Sequence, residues 1–383
     1  MVKWRIIAGG ALGLGAAIAL YSFFTIDPAV LPGTDLVGDS EVTEPGLTLR
    51  DVTLEQPDEE GNPMWRVKGD EVTYSPDLQI AYIVRPDGQL FQDGEAIYEV
   101  TADTGEVQEN GRVIFLRGNI VATGIKNNAI LRGNELEWRP DQDRLVIRNQ
   151  ITGSHPQLRA SAQEARVYNR DNRMELSGQV VANTVVEDPR QQPWLKLQAE
   201  ELVWHWEEER IDSPQPLRVE QFKNNRISDV IVGQQGVVDL ADALVTLRGQ
   251  VAMDMLEMPL RVTSEAVDWQ VETELVTINQ PLTVVHPEAQ VRVTARRGRM
   301  NLADEVVYLS QDVVAIGQEN QSRLTTDNLT WTVNDQVLVA EGRVNYRQVN
   351  PAINLNGPRA VGRLDQQTVV VDGGGVVTEI VPN

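Results

Sequence analysis

The sequence predicts an all-β chain preceded by one N-terminal transmembrane helix. Three observations carry this: apolar and polar residues alternate from Leu47 onward, turn signals recur every ten to fifteen residues, and 50 of the 383 residues are valine. Alternation with a period of two marks half-buried strands, and β-branched side chains fit a pleated surface better than a helix.

Composition bounds the rest. At 41% hydrophobic and 23% charged the chain is globular rather than disordered or fibrous, and its length predicts two or three domains. The absence of cysteine removes disulfides, thiolate metal sites, cysteine nucleophiles and a lipidated N-terminal cysteine. With 34 basic and 56 acidic residues the net charge is −22, which argues against nonspecific binding to nucleic acid or an anionic bilayer. Of the basic residues 29 are arginine, scattered along the chain. The tightest cluster, Arg296, Arg297 and Arg299, reads as an exposed turn beside Asp304 and Glu305, with an anion contact as the alternative.

The N-terminus sets the topology. Residues 1–5, with Lys3 and Arg5, form a short tail, and 6–26 runs 21 residues without a charge, long enough to span a hydrocarbon core. The stretch that follows carries Asp27, Asp35, Asp39 and Glu41 and no early lysine or arginine, so the positive-inside rule predicts a cytosolic tail and an outer ectodomain. A cleaved signal peptide is the rival, on the Ala17 and Ala19 pattern, but the apolar run continues past it to Ile26. Residues 27–46, with Pro28, Pro32, Pro45 and Gly46, read as an extended linker.

Beyond the linker, strands are marked by Leu47 and Leu49, Val52 and Leu54, Val113 to Leu116, Val291, Val293 and Ala295, and Val369 and Val371. Turns are marked by Pro86-Asp87-Gly88, Asp93-Gly94, Asn110-Gly111, Asn127-Asn128 and Pro140-Asp141. Short strands joined by tight turns predict antiparallel sheets. Leu195, Ala199, Leu202 and Trp206 keep helical spacing, yet the repeat described next assigns that stretch to a strand.

A pattern Leu-x-Gly-x-Val/Ile occurs at Leu116 to Ile120, Leu176 to Val180 and Leu247 to Val251, with degenerate copies at Leu309 to Val313 and Ala340 to Val344. An apolar residue two before a tryptophan occurs at Leu136 and Trp138, Leu202 and Trp204, Val267 and Trp269, and Leu329 and Trp331. Each tryptophan is followed by a second marker, Ile151, Leu217, Leu282 or Val344. The tryptophans recur every 62 to 66 residues, so a small group of strands repeats along the chain. Strict alternation puts the leucine, glycine and valine of each box on one face, the glycine leaving a gap there. The interior is then either a self-filled sandwich core or a channel for apolar guests between sheets that do not close.

Catalytic signals are thin. His155, His205 and His286 have no metal-ligand spacing and no nucleophile elbow beside them. The acidic run at Glu207 to Glu209 reads as a solvated edge, and Gly373 to Gly375 is not followed by a helix, as a phosphate loop would need. No cofactor or metal is expected.

The order of tail, anchor, acidic linker and repeated strands resembles the LptC family, with its OstA-like repeats. The resemblance lies in Trp65 to Tyr74, Gly88-Gln89-Leu90, the boxes at Leu116 and Leu176 and the stretch around Tyr168. It covers the anchor and 47–190 as one family-sized unit, and 191–383 looks like a second, so the chain resembles a double-length form. This implies tandem β-jellyrolls with an open apolar interior. It implies an inner-membrane, single-pass protein with a periplasmic ectodomain that takes lipopolysaccharide from an ABC transporter and passes it to a bridge protein of the same fold.

The expected activity is therefore non-enzymatic lipid transfer along an apolar groove. By parity and repeat register the groove candidates are Leu116, Ile120, Leu136, Trp138, Leu176, Val180, Leu247, Val251, Trp269, Leu309, Val313 and Trp331. A closed β-sandwich scaffold of the cell envelope is the alternative, and a membrane-anchored glycan-active enzyme using a pair of acids is the third.

Overall fold

The computed structural model describes residues 5–7, 47–319, 321–349, 352–372 and 377–380. They are strands and turns, with two single-turn 3-10 helices at Glu109–Gly111 and Pro140–Gln142. No helix among the described residues is long and apolar enough to cross a membrane. The expected anchor lies outside the described residues except at its start, where Ile6 and Ile7 are in a strand, Arg5–Ile7, paired antiparallel with Thr53–Glu55. The linker, 27–46, lies wholly outside them. The chain divides into two compact units, Met1–Met174 and Glu175–Asn383. The division falls inside the strand Arg173–Thr184, whereas the family resemblance put the join after residue 190.

In the first unit long strands are shared between two sheets. The strand Pro63–Tyr74 pairs through Glu71–Tyr74 with Ala81–Val84, and through Trp65–Lys68 with Asp87–Leu90. The chain returns through Glu95–Thr101 and Thr104–Gln108, and the long strand Val113–Gly124 then pairs with both. The hydrogen-bonded ladder is thus folded along a line of corners into two wings, an upper one holding Ala81–Val84 and Thr104–Gln108 and a lower one holding Asp87–Gln92 and Glu95–Thr101. Long strands Ile130–Arg139, Arg144–Ser154 and Leu158–Tyr168 continue both wings.

The second unit holds the same six-strand module twice. Trp194–His205 pairs with Arg210–Ser213 in the upper wing and Leu217–Lys223 in the lower, and Leu244–Met255 gathers the returning strands Gln235–Asp239 and Arg226–Gly233. Leu260–Gln270 pairs likewise with Leu275–Ile278 and Leu282–His286, and Val306–Gly317 gathers Arg297–Asn301 and Val291–Ala295. Long strands Ser322–Thr332, Val337–Gln348 and Ile353–Arg363 follow. The stretch with helical spacing is strand through His205, with Trp206 in the turn that follows, because period-two burial of Leu195, Leu197, Leu202 and Trp204 wins over local propensity.

Prolines mark where the chain passes from one wing to the other, at Pro86, at Pro214 and Pro216, and at Pro281. A residue without an N–H cannot continue a ladder, so it sits where the ladder changes. Pro86-Asp87-Gly88 is therefore a crossing into the strand Asp87–Gln92 and not a hairpin turn.

The repeated boxes are the corners. Gly118 and Asn119 have φ of +76° and +46°, and the same pair of positive angles recurs at Gly178 and Gln179, Gly249 and Gln250, and Gln311 and Asp312. Two residues then oppose one across the strand pair, as at Arg117 to Ile120 against Glu135 to Gly133. This corrects the face assignment. The glycine does not share the face of its leucine. It sits in a β-bulge and turns out toward Asp103 at Gly118, Gln234 at Gly249 and Asp327 at Gly342, while the leucine and valine four positions apart stay inward, as alternation also has them, and glycine takes the positive φ there without strain.

Candidate functional site

The interior between the wings is built by direct cross-strand pairs. Three of the box leucines face the apolar residue of a tryptophan motif: Leu116 opposite Leu136, Leu247 opposite Val267, Leu309 opposite Leu329. The two sequence patterns are the two sides of one strand pair. Ile151, Leu217, Leu282 and Val344 are all buried just past a corner. All twelve groove candidates point inward and are 0 to 3% exposed. Side chains so covered leave no open trough beside them, so an acyl chain reaches them only if the wings part.

Corners are held by carboxylates. The backbone N–H of Gln179, Gln250 and Arg343 is donated to Glu200, Glu265 and Asp327 at 3.4, 3.5 and 3.2 Å. The residue joining the two returning strands donates its N–H to the bulge carbonyl: Asp103 to Gly118, Gln234 to Gly249, Arg296 to Gln311, each at 3.0 Å. Arg296 also pairs with Asp312 at 2.6 Å, which makes the arginine cluster an exposed corner with an acidic neighbour.

Opposite the corners, the free rims of the wings are latched in the first unit. Gln92 donates to Asp143 at 2.8 Å, the Tyr98 hydroxyl to Asn169 at 2.9 Å, and Arg170 pairs with Asp93 at 2.9 Å. Asp143 also accepts the Arg170 backbone N–H at 2.8 Å. The Arg170 guanidinium holds the Asp93 carboxyl below the ordinary range, while burial, helped by the charge of Asp143, pushes the Tyr98 hydroxyl well above its own. In the second unit Lys223 reaches Glu274 across the rim at 2.8 Å, and His286 stacks on Trp331 with ring centroids 5.8 Å apart.

Beyond that stack the rim is open. A cavity of about 270 Å³ lies between Val291, Ala315, Leu324 and Tyr346 of the lower wing and Leu338, Ala340 and Ala360 of the upper. Its mouth carries Glu288, Glu319, Gln336, Arg363 and Gln367. Small side chains make it: Ala340 faces Leu329 and Ala360, and Gly362 faces Leu338. None of the twelve candidates lines it. The signal that could have located it is the last box, which carries Ala340 where the other four carry leucine.

Other polar groups do not converge. Ser228 donates to the Gln221 side chain at 3.0 Å beside Asp229, whose carboxyl burial pushes up. His286 Nδ1 accepts the Ala289 N–H at 3.1 Å, and burial lowers its pKa. His205 lies 3.4 Å from Asp212, and His155 accepts from Gln157. No cluster of His, Asp or Glu able to hold a metal occurs among the described residues.

A family model described as lipopolysaccharide-assembly, LptC-related matches residues 14–185 and 261–373. No curated protein matches the chain. Among solved structures the chain is similar to LptH, the LptA homologous periplasmic component of the lipopolysaccharide transport device from Pseudomonas aeruginosa, at 12% identity. That match covers 33% of this chain and 97% of LptH, with a TM-score of 0.30.

Proposed function

The chain belongs to the LptC-related family of lipopolysaccharide-assembly proteins, and from that premise we propose that it is a non-enzymatic, membrane-anchored periplasmic lipid-transfer component. In this reading residues 6–26 anchor it in the inner membrane, which requires that Arg5–Ile7 leave its pairing with Thr53–Glu55, the ectodomain receives lipopolysaccharide from an ABC transporter, and the acyl chains move between the wings toward a bridge protein. The observation that carries it is the cavity open at the rim, with a polar mouth and with Leu338, Ala340, Ala360 and Tyr346 among its lining. Burying acyl methylenes is worth about 0.8 kcal/mol each, so chains leaving a bilayer need such a path. The twelve inward side chains would line that path once the wings part about their corners. Strands Thr368–Asp372 and Val377–Ile380 pair on one side only among the described residues, and an open edge of this kind suits β-augmentation by a partner.

A photo-crosslinking residue placed at Ala340 in the full chain should trap acyl lipid, and one at the neighbouring, exposed Glu341 should not. Equal labelling at the two positions would sink the reading. The closed scaffold has one observation in its favour, the near-complete burial of all twelve candidates. It requires that the purified chain carry no lipid by mass spectrometry.

A further inference from the structure

Three tryptophans occupy one register position. Trp138, Trp269 and Trp331 stand opposite the residue two before each box leucine, namely Ile114, Val245 and Val307. All three rings are 0 or 1% exposed. The indole N–H of each is buried and finds no acceptor among the described residues. Trp65 shows the ordinary arrangement, donating to the Gly111 carbonyl at 2.7 Å. A buried donor without an acceptor is destabilising, and phenylalanine would supply an aromatic ring without that penalty. The same defect at three equivalent positions, one in the first unit and two in the second, calls for a function.

Trp331 indicates which. Its cross-strand partner Leu338 lines the open cavity. His286, stacked on it, cannot serve as acceptor through Nδ1, which already takes the Ala289 N–H, and in the neutral ring the other nitrogen carries the proton. An acyl lipid drawn between the wings, past the donors Ser322, Gln336, Arg363, Gln367 and Thr368 that line the cavity, brings an ester or amide carbonyl that loses its water deeper in, among buried side chains such as Val307, Leu309 and Leu329 that donate nothing. Orphan donors on the protein and orphan acceptors on the ligand are complementary.

We infer that the indole N–H groups of Trp138, Trp269 and Trp331 are donors for the ester or amide carbonyls of a bound lipid, so that the interior selects acyl-linked chains over plain hydrocarbon. The inference rests on the lipid-transfer reading. Each donor supplies one neutral hydrogen bond, strong enough to discriminate and weak enough for the chain to move on.

The test compares an ester-linked glycerophospholipid with its ether-linked counterpart, binding each to the full chain and to Trp331→Phe, Trp269→Phe and Trp138→Phe. The ester form should bind the unaltered chain more tightly. Trp331→Phe should weaken ester binding roughly fivefold, the worth of one hydrogen bond, and leave ether binding unchanged, any fall in melting temperature being that of the smaller buried ring. Equal binding of the two lipids with no effect of any substitution would overturn the inference and spare the lipid-transfer reading. Loss of binding to both lipids together with a lowered melting temperature would show a structural role for the ring and overturn it as well. Failure of the unaltered chain to bind either lipid would overturn the inference, and failure to bind lipopolysaccharide as well would overturn the lipid-transfer reading.

Discussion

The corner at Leu116 and the corner at Ala340 have related backbones and different contents. At the first, Leu116 meets Leu136, Trp138 meets Ile114, and the far rim of that unit is latched by Gln92, Tyr98, Asp143, Asn169 and Arg170. At the second, alanine replaces leucine, Ala360 and Gly362 replace larger partners, and the wings enclose an open cavity of about 270 Å³. Both corners turn on a glycine with positive φ, +76° at Gly118 and +90° at Gly342. Backbone geometry therefore sets where the chain folds over. Side-chain volume and rim contacts set whether the fold is filled.

The comparison breaks most sharply at a filled corner. Leu247→Ala, at a residue with no exposed surface, should cost about 2–5 kcal/mol in urea denaturation and create a second apolar site that binds a hydrophobic dye. The reverse change, Ala340→Leu, should close the existing cavity and lower lipid or dye binding at least tenfold, with a stability change inside about 3 kcal/mol. Unchanged dye binding would mean that the cavity is not the apolar site. Next comes the turn itself. Gly118→Ala places a methyl group at positive φ and against the Asp103 carboxylate, which should cost roughly 1–2 kcal/mol by thermal melting.

The smallest effect belongs to the latch. Arg170 holds the Asp93 carboxyl below its ordinary value of 3.8, so the pair's contribution is present above that value and is lost as pH falls through the depressed one. Both groups are largely exposed, which limits the contribution to under about 1 kcal/mol. In Arg170→Gln this part of the acid-side loss should be gone, and a melting curve followed from pH 6 to pH 2 would show it.

Much of this was legible beforehand. Alternation groups residues by face, so the shared parity of Leu116, Ile120, Trp269 and the others could be read from spacing, while which parity is buried shows only in the structure. The boxes were visible as well, but their glycine was placed by strict alternation, which no linear pattern can suspend. Only the paired positive angles reveal the bulge. For the same reason Ile147 to Ile151 passed unnoticed as a box, since Asn149 and Gln150 hold the left-handed angles without glycine. The cavity was missed because it arises from what side chains leave empty. Ala340 is informative only beside the four leucines it replaces.

Because every long strand enters and leaves through both wings at once, the six-strand module presents the same pair of half-strands at its start and its finish. A duplicated segment can therefore be spliced in behind an existing one without a new topology, and in the second unit two such modules stand in succession. Growth by copying needs only that each inserted piece keep its turn-forming pair and its crossing proline. A gene encoding this fold can lengthen in whole hairpins while the backbone rule stays constant, leaving each copy free to vary the size of its inward residues.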